Sequence, residues 1–249
     1  MTICVCGIGR AGAAMIEKIL ETKEMALSCV LTRDNSEHIG KDAGDIINKA
    51  PLGVEVLPIS VDIDILRSKN FDVIIDFSSN AATMQLLGIC KEIGAKLVVC
   101  TTNHSEETIK EMEEEADKSK VGVVYAPNLT LGINILIDFV STISKILTDF
   151  DFEIVEYHFK KKPRVTATAS IIAKAIERDE VPISSVRVGG YVGVHEVYCA
   201  NDNERLTITH ESFSRKAFAH GAIMATNFVK NKIGFYHMSD VIEEIKKAL

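Results

Sequence analysis

The chain has 249 residues, 47% of them hydrophobic and 25% charged, an ordinary globular balance with room for one large domain or two modest ones. No apolar run reaches the roughly 18 residues of a membrane span, and residues 1–5 lack the basic stretch and small-residue cleavage site of a secretory leader, so a cytoplasmic location is expected. The net charge of −7 argues against a nucleic-acid partner and requires any anion site to be built locally.

The first half alternates short apolar runs with helical patterns. Strands are predicted at residues 3–6, 26–31, 54–57, 71–77, 96–100 and 121–125. Helices are predicted at 11–20, at 81–93 with Gly94 as the closing glycine, and after Ser105, whose following Glu106 and Glu107 suit a helix N-terminus. Nearly continuous apolar strands separated by helices predict an α/β fold, a Rossmann-type doubly wound parallel sheet. After about Asn128 the rhythm changes. A long helix at 131–147, a strand at 152–159 and a helix at 168–177 precede strand-like stretches at 184–188, 192–199 and 205–210. The alternation of Leu206 and Ile208 with Thr207 and Thr209 predicts antiparallel strands with one exposed face, making the second part an α+β domain with a mixed, largely antiparallel sheet. A helix at 213–230 and a last one capped by Ser239 close the chain. The six cysteines (Cys4, Cys6, Cys29, Cys90, Cys100 and Cys199) form no CxxC and read as buried, reduced thiols. No HExxH or carboxylate pair at ligand spacing appears, so no metal is invoked.

Gly7-Ile8-Gly9-Arg10-Ala11-Gly12 follows a buried strand and opens a helix. The first glycines permit a tight turn and close approach of a pyrophosphate, Gly12 lets helix and strand pack, and the helix N-terminus offers free N–H donors. In its βαβ context the motif predicts a dinucleotide. At the end of the second strand, where an acidic residue would hold the ribose of NAD, the sequence reads Thr32-Arg33-Asp34. Arg33 favours a 2′-phosphate and hence NADPH, while Asp34 leaves NADH open.

From here the residues resemble the 4-hydroxy-tetrahydrodipicolinate reductase (dihydrodipicolinate reductase) family, in its compact subgroup. Arg33 with Gly40-Lys41-Asp42-Ala43-Gly44-Asp45, the strand 72–78 ending in Asp76-Phe77-Ser78, and Thr101-Thr102 after Cys100 resemble family stretches. So do the 126–134 segment, Val186-Arg187-Val188-Gly189-Gly190, Gly193-Val194-His195-Glu196, Ile208-Thr209-His210 and Phe218-Ala219-His220-Gly221-Ala222. The resemblance implies a dinucleotide-binding domain over 1–127, completed by about 220–249, and a substrate-binding and oligomerisation domain over 128–219. It also implies a homotetramer joined through the second sheets. Cofactor contacts are expected from Gly7, Ile8, Gly9, Arg10, Ala11, Gly12, Thr32, Arg33 and Phe77, and at the nicotinamide end from Cys100, Thr101, Thr102, Ala126, Pro127, Asn128 and Leu129.

The family's substrate loop reads roughly E-x-H-H-x-x-K-x-D-A-P-S-G-T. Here it runs Glu156-Tyr157-His158-Phe159-Lys160-Lys161-Lys162-Pro163-Arg164-Val165-Thr166-Ala167-Thr168-Ala169. His158 and Lys162 fall on the two positions of proton transfer and are the expected catalytic pair. Phe159 replaces the second histidine, and Ala167-Thr168-Ala169 replace the Ser-Gly-Thr that cradles a carboxylate. Lys161, Thr168, Ala169 and Arg187 are the expected substrate contacts, Arg187 as a bidentate carboxylate clamp. The expected activity is NAD(P)H-dependent reduction of a small anionic cyclic imine in lysine and diaminopimelate synthesis. The altered loop also admits a paralogue reducing another imine or unsaturated acid, or a dinucleotide-binding relative without turnover. His195, His210 and His220 are read as structural, and His38 and His104 as loop residues near the cofactor edge at most.

Overall fold

Strands buried on both faces need helices on both sides, and the apolar runs of the first half meet that demand. In the computed structural model, which describes residues 1–248, they form β1 (Thr2–Cys6), β2 (Ala26–Thr32), β3 (Val56–Pro58), β4 (Val73–Asp76), β5 (Lys96–Val99) and β6 (Gly122–Tyr125). Between them lie α1 (Arg10–Glu21), α2 (Ala43–Ile46), α3 (Ile63–Lys69), α4 (Asn80–Ile93) and α5 (Glu106–Ser119). The chain continues through α6 (Leu131–Ile146), β7 (Asp151–His158), α7 (Ala167–Ala175), β8 (Ile183–Arg187), β9 (Val194–Ala200) and β10 (Arg205–Glu211). It ends with α8 (Lys216–Val229), β11 (Gly234–His237) and α9 (Met238–Lys247). Two compact units result: Met1–Leu129 with the stretch from Phe218 onward, and Thr130–Ala217.

The first unit is a seven-stranded parallel sheet in the order β11-β6-β5-β4-β1-β2-β3. Strand order reverses about β1, which opens a crevice at the C-terminal ends of β1 and β4, the usual ligand position in such sheets. One face buries Val5, Ile16, Ile75, Val98 and Val124; the other buries Leu31, Ile74, Leu86, Leu97 and Met112. Gly94 closes α4 with a left-handed φ of 79°, and the Ser105 hydroxyl caps α5 by accepting from Thr108 N at 3.1 Å. All six cysteines are free and buried.

The second unit packs a four-stranded sheet, order β10-β9-β7-β8, against α6 and α7. β7 pairs antiparallel with β9, and β9 with β10. β8 runs parallel to β7, because α7 forms the crossover between them, and makes the sheet mixed and largely antiparallel, as expected. Alternation along β7 turns Phe152, Ile154, Glu156 and His158 to the buried face. Pairing register then sets Ser185, Glu156, His195 and His210 in one row across the sheet, with His158 opposite Arg187 one step further. The rows behind are apolar, among them Ile183, Ile154, Val197 and Ile208.

Four differences at the level of elements have simple causes. β11 was not anticipated, since four residues carry no readable periodicity. The short α2 and α3 escaped for the same reason. α8 begins at Lys216, and Phe213 before it is 84% exposed. α9 is capped at His237, whose N–H donates to the Asp240 carboxylate at 2.7 Å; Ser239 lies within the helix. No helix among the described residues is long and apolar enough to cross a membrane.

Candidate active site

The glycine loop leaves β1 at the crevice. Gly7 takes φ +92° and its N–H donates to Leu31 O at 2.9 Å, turning the chain toward α1. A Cβ on Gly12 would lie 1.8 Å from Gly7 O, so only glycine lets the helix start there. A Cβ on Gly9 would meet nothing within 4 Å, and Gly9 N-caps α1 without a side-chain acceptor. The first intrahelical bond runs from Ala13 N to Gly9 O at 2.9 Å, so the donors of the preceding turn face an open approach. A pyrophosphate fits this cradle in shape and in charge.

The other expected nucleotide contacts lie along the same edge of the first unit's sheet. Thr32 ends β2, with its side chain buried and Arg33 exposed beyond it. The Asp34 carboxylate accepts from Ser60 N at 3.0 Å, holding the neighbouring loop. Phe77 follows β4, Cys100-Thr101-Thr102 follow β5, and residues 126–129 follow β6. Cys100 packs within the core, and burial pushes its thiol well above the usual range, so only its backbone remains for a nucleotide. Thr101 is held from below: its hydroxyl meets His104 Nε2 at 2.7 Å and Thr83 Oγ1 at 3.4 Å. Thr83 in turn donates to the buried Asp76 at 2.8 Å.

In the second unit the loop after β7 carries Lys160, Lys161, Lys162 and Arg164, all exposed. Beneath it lies a polar network centred on Glu156, which has no exposure. Glu156 Oε1 accepts from Ser185 Oγ at 2.6 Å and from Arg187 Nη2. Glu156 Oε2 accepts from Thr166 N at 3.1 Å and from Thr166 Oγ1. Burial alone would raise this carboxyl, but the Ser185, Thr166 and Arg187 donors outweigh it and hold the pKa down to about 2. The single Thr166 hydroxyl proton goes to Glu156, so Thr166 Oγ1 accepts from Ala169 N at 3.2 Å and faces His195 Nε2 at 3.4 Å as an acceptor. His195 is therefore protonated on Nε2, and burial, with His158 beside it, lowers its pKa to about 4.

His158 is tied by Nδ1 to Val192 O at 3.1 Å. A carbonyl only accepts, so Nδ1 carries the proton and Nε2 presents a lone pair. Nε2 is buried, without a hydrogen-bond partner, and lies 4.0 Å from Glu156 Oε2. Burial shifts the His158 pKa down, leaving the ring neutral near pH 7. Gly193 packs against the ring, where a Cβ would come within 3.0 Å of Cε1. Glu156, His158 and His195 offer ligand atoms within 4.8 Å of one another. Glu156, however, already accepts four hydrogen bonds, which fills its lone-pair directions. The cluster is built as a hydrogen-bond hub.

Two expected substrate contacts are engaged within the protein. Arg187 does not point a free fork at a carboxylate: Nε donates to Lys162 O at 3.0 Å, Nη2 to Pro163 O at 2.7 Å and to Glu156, and Nη1 to Val186 O at 3.0 Å. Ala169 is fully buried with its N–H spent on Thr166, so the carboxylate cradle of the family pattern is absent there. Thr168 is half-buried in the first turn of α7, and Lys161 is exposed. The sequence reading gives Glu156 and Thr166 no role and reads His195 as structural. The signal was present in the alternation of β7, which turns a carboxylate to the buried face beside Phe152, Ile154 and His158 and so demands a partner.

Comparison with known proteins gives a consistent result across both units. The dihydrodipicolinate reductase N-terminus family matches residues 1–129, and its C-terminus family matches residues 132–242. The chain belongs to the dihydrodipicolinate reductase family. It is thus an NAD(P)H-dependent oxidoreductase of the lysine and diaminopimelate route. The 4-hydroxy-tetrahydrodipicolinate reductase of Methanopyrus kandleri is 34% identical, covering 94% of this chain and 93% of the relative. That of Methanothermobacter thermautotrophicus is 32% identical over 90% of each. Among solved structures, dipicolinate-bound dihydrodipicolinate reductase from Paenisporosarcina sp. TG-14 has the same fold, with TM-score 0.78 and 21% identity over 95% of this chain and 97% of that one. An amine dehydrogenase from Mycobacterium smegmatis shares the fold at TM-score 0.70 and 12% identity, covering 96% and 95%.

Proposed function

We propose that this reductase acts on 4-hydroxy-tetrahydrodipicolinate, with Lys162 as proton donor and NADPH or NADH as reductant. When bound, the dinucleotide supplies the hydride. The chain's own residues hold it through the loop 7–12, Thr32, Arg33, Phe77 and the segments 100–102 and 126–129. The exposed Arg33 supports NADPH as the better partner.

The observation that carries the assignment of roles is the tautomer of His158. With Nδ1 committed to Val192 O, a neutral His158 can only accept at its buried Nε2 and has no proton to give there, so the donor's role falls to Lys162. Lys162, on the exposed loop of the same unit, brings the ammonium that can stabilise developing charge and then give up a proton. Without the Ser-Gly-Thr cradle, the substrate carboxylates fall to the cations Lys160, Lys161 and Arg164. The same substitutions support a second reading, a paralogue that reduces a different cyclic imino acid. A cytoplasmic homotetramer completes the proposal; light scattering returning the mass of four chains is the expected result.

The test couples this protein to a synthase that generates the substrate and follows NADPH oxidation. Turnover is expected, and Lys162→Ala should remove it while the NADPH Kd holds. Tight NADPH binding with no turnover would reject this substrate, and a panel of cyclic imino acids would then identify the other. Full activity in Lys162→Ala would reject the lysine as donor.

A further inference from the structure

We infer that Arg187, Glu156 and Thr166 form a buried latch that positions Lys162, a role resting on the reading of Lys162 as proton donor. The loop that carries Lys162 is exposed at every residue from 159 to 165. Its middle is nonetheless fixed from below. The Arg187 side chain, only 5% exposed, takes two consecutive carbonyls, Lys162 O at 3.0 Å and Pro163 O at 2.7 Å. With the bond to Glu156, this bridge uses donors on two separate nitrogens of a planar fork, whereas a lysine ammonium carries its three donors on one nitrogen.

The fork is itself aimed by Glu156, and Glu156 by the far end of the same loop. Thr166, where the loop enters α7, gives the carboxylate both its N–H and its hydroxyl. Ser185 on β8 supplies the fourth donor at 2.6 Å. The carboxylate thus joins the loop's exit to the arginine that grips its middle. A buried ion pair of this kind adds little net stability over a well-packed apolar pair, because desolvation offsets the attraction. What it adds is direction: the rigid guanidinium plane fixes where the two loop carbonyls sit relative to Glu156. The loop needs that direction, since a displacement of about 1 Å at a reacting group can cost about 100-fold in rate.

Four variants test the latch, each read by kcat, KM, NADPH affinity and tryptic nicking after Lys160, Lys161 or Arg164. Arg187→Lys keeps the charge and loses the fork; kcat should fall about 100-fold with KM and the NADPH Kd changing far less, and nicking should accelerate about tenfold. Glu156→Gln should move both readouts the same way. Thr166→Val should lower kcat and expose the loop, and Thr166→Ser, which restores the hydroxyl, should rescue both. Lys162→Ala separates this inference from the reading beneath it: it should lose turnover and still be nicked as slowly as the unaltered chain. Full activity in Lys162→Ala would remove the donor, and the nicking rates of the Arg187 and Thr166 variants would still decide the latch. Folded Arg187→Lys with unaltered kcat and nicking would overturn the latch. Should Arg187 variants fail to fold, equal kcat and equal nicking in Thr166→Val and Thr166→Ser would overturn it as well.

Discussion

Glu156 carries its charge inside the protein, and the four donors around it set how the protein responds to acid. Its pKa is held from an ordinary 4.5 down to about 2, so the unfolded chain takes up a proton at this position first. Stability from Glu156 is therefore complete above about pH 4.5 and drains away as pH falls toward 2. His195 acts in the same direction over a higher window. Its pKa drops from 6.5 to about 4, because burial and the neighbouring His158 disfavour the cation, so its contribution is full above 6.5 and lost on the way down to 4. Urea unfolding across this range should show stability falling from pH 6.5 downward, with His195→Gln removing the upper part of the slope and Glu156→Gln the lower. Identical slopes in all three proteins would refute the assignment. Around this network, the sequence reading singles out His158, Lys162 and Arg187 through their likeness to family stretches. Glu156 carries no role in that reading, and His195 reads as structural. Their meaning comes from cross-strand register, which pairs residues 39 apart in the chain, and local periodicity carries no information about pairing.

At the scale of elements, α1 and α7 show two ways of starting a helix. α1 begins at a bare Gly9 and leaves its donors for a ligand, whereas α7 begins at Thr166, whose hydroxyl accepts from Ala169 N. The first was readable, because a glycine motif between strand and helix has a mechanism attached to each glycine. The second was not, because the aligned pattern drew attention to the lost Ser-Gly-Thr instead of to the threonine before it. The strict steric demand at Gly12 gives a test of α1. Gly12→Ala places a methyl against Gly7 O, where 1.8 Å is available, so loop and helix must separate. Overpacking of this sort costs about 1–3 kcal/mol. NADPH affinity should fall at least about tenfold, which corresponds to about 1.4 kcal/mol. Titration by nucleotide fluorescence that returned the original Kd would show that the loop does not touch the phosphates.

For the molecule as a whole, alternating strands and helices disclosed the parallel sheet, and the change of rhythm near Asn128 disclosed the second unit. The return of the chain as β11 was beyond reach, because the strand is short and pairs with β6 from more than a hundred residues away. That return has a thermodynamic consequence: the nucleotide-binding unit is closed only when the C-terminal stretch is in place. A ligand that binds the folded unit stabilises it by mass action, about 2.7 kcal/mol at 100 times its Kd. Calorimetry with NADPH at that excess should raise the unfolding temperature of the unit that contains β11 and leave the other transition nearly where it was. Lys162→Ala should show the full NADPH shift, since its side chain belongs to the other unit, and Gly12→Ala should show little. A shift lost in Lys162→Ala and kept in Gly12→Ala would invert the roles assigned to the two units, because the lysine would then be serving the nucleotide and the glycine loop would not.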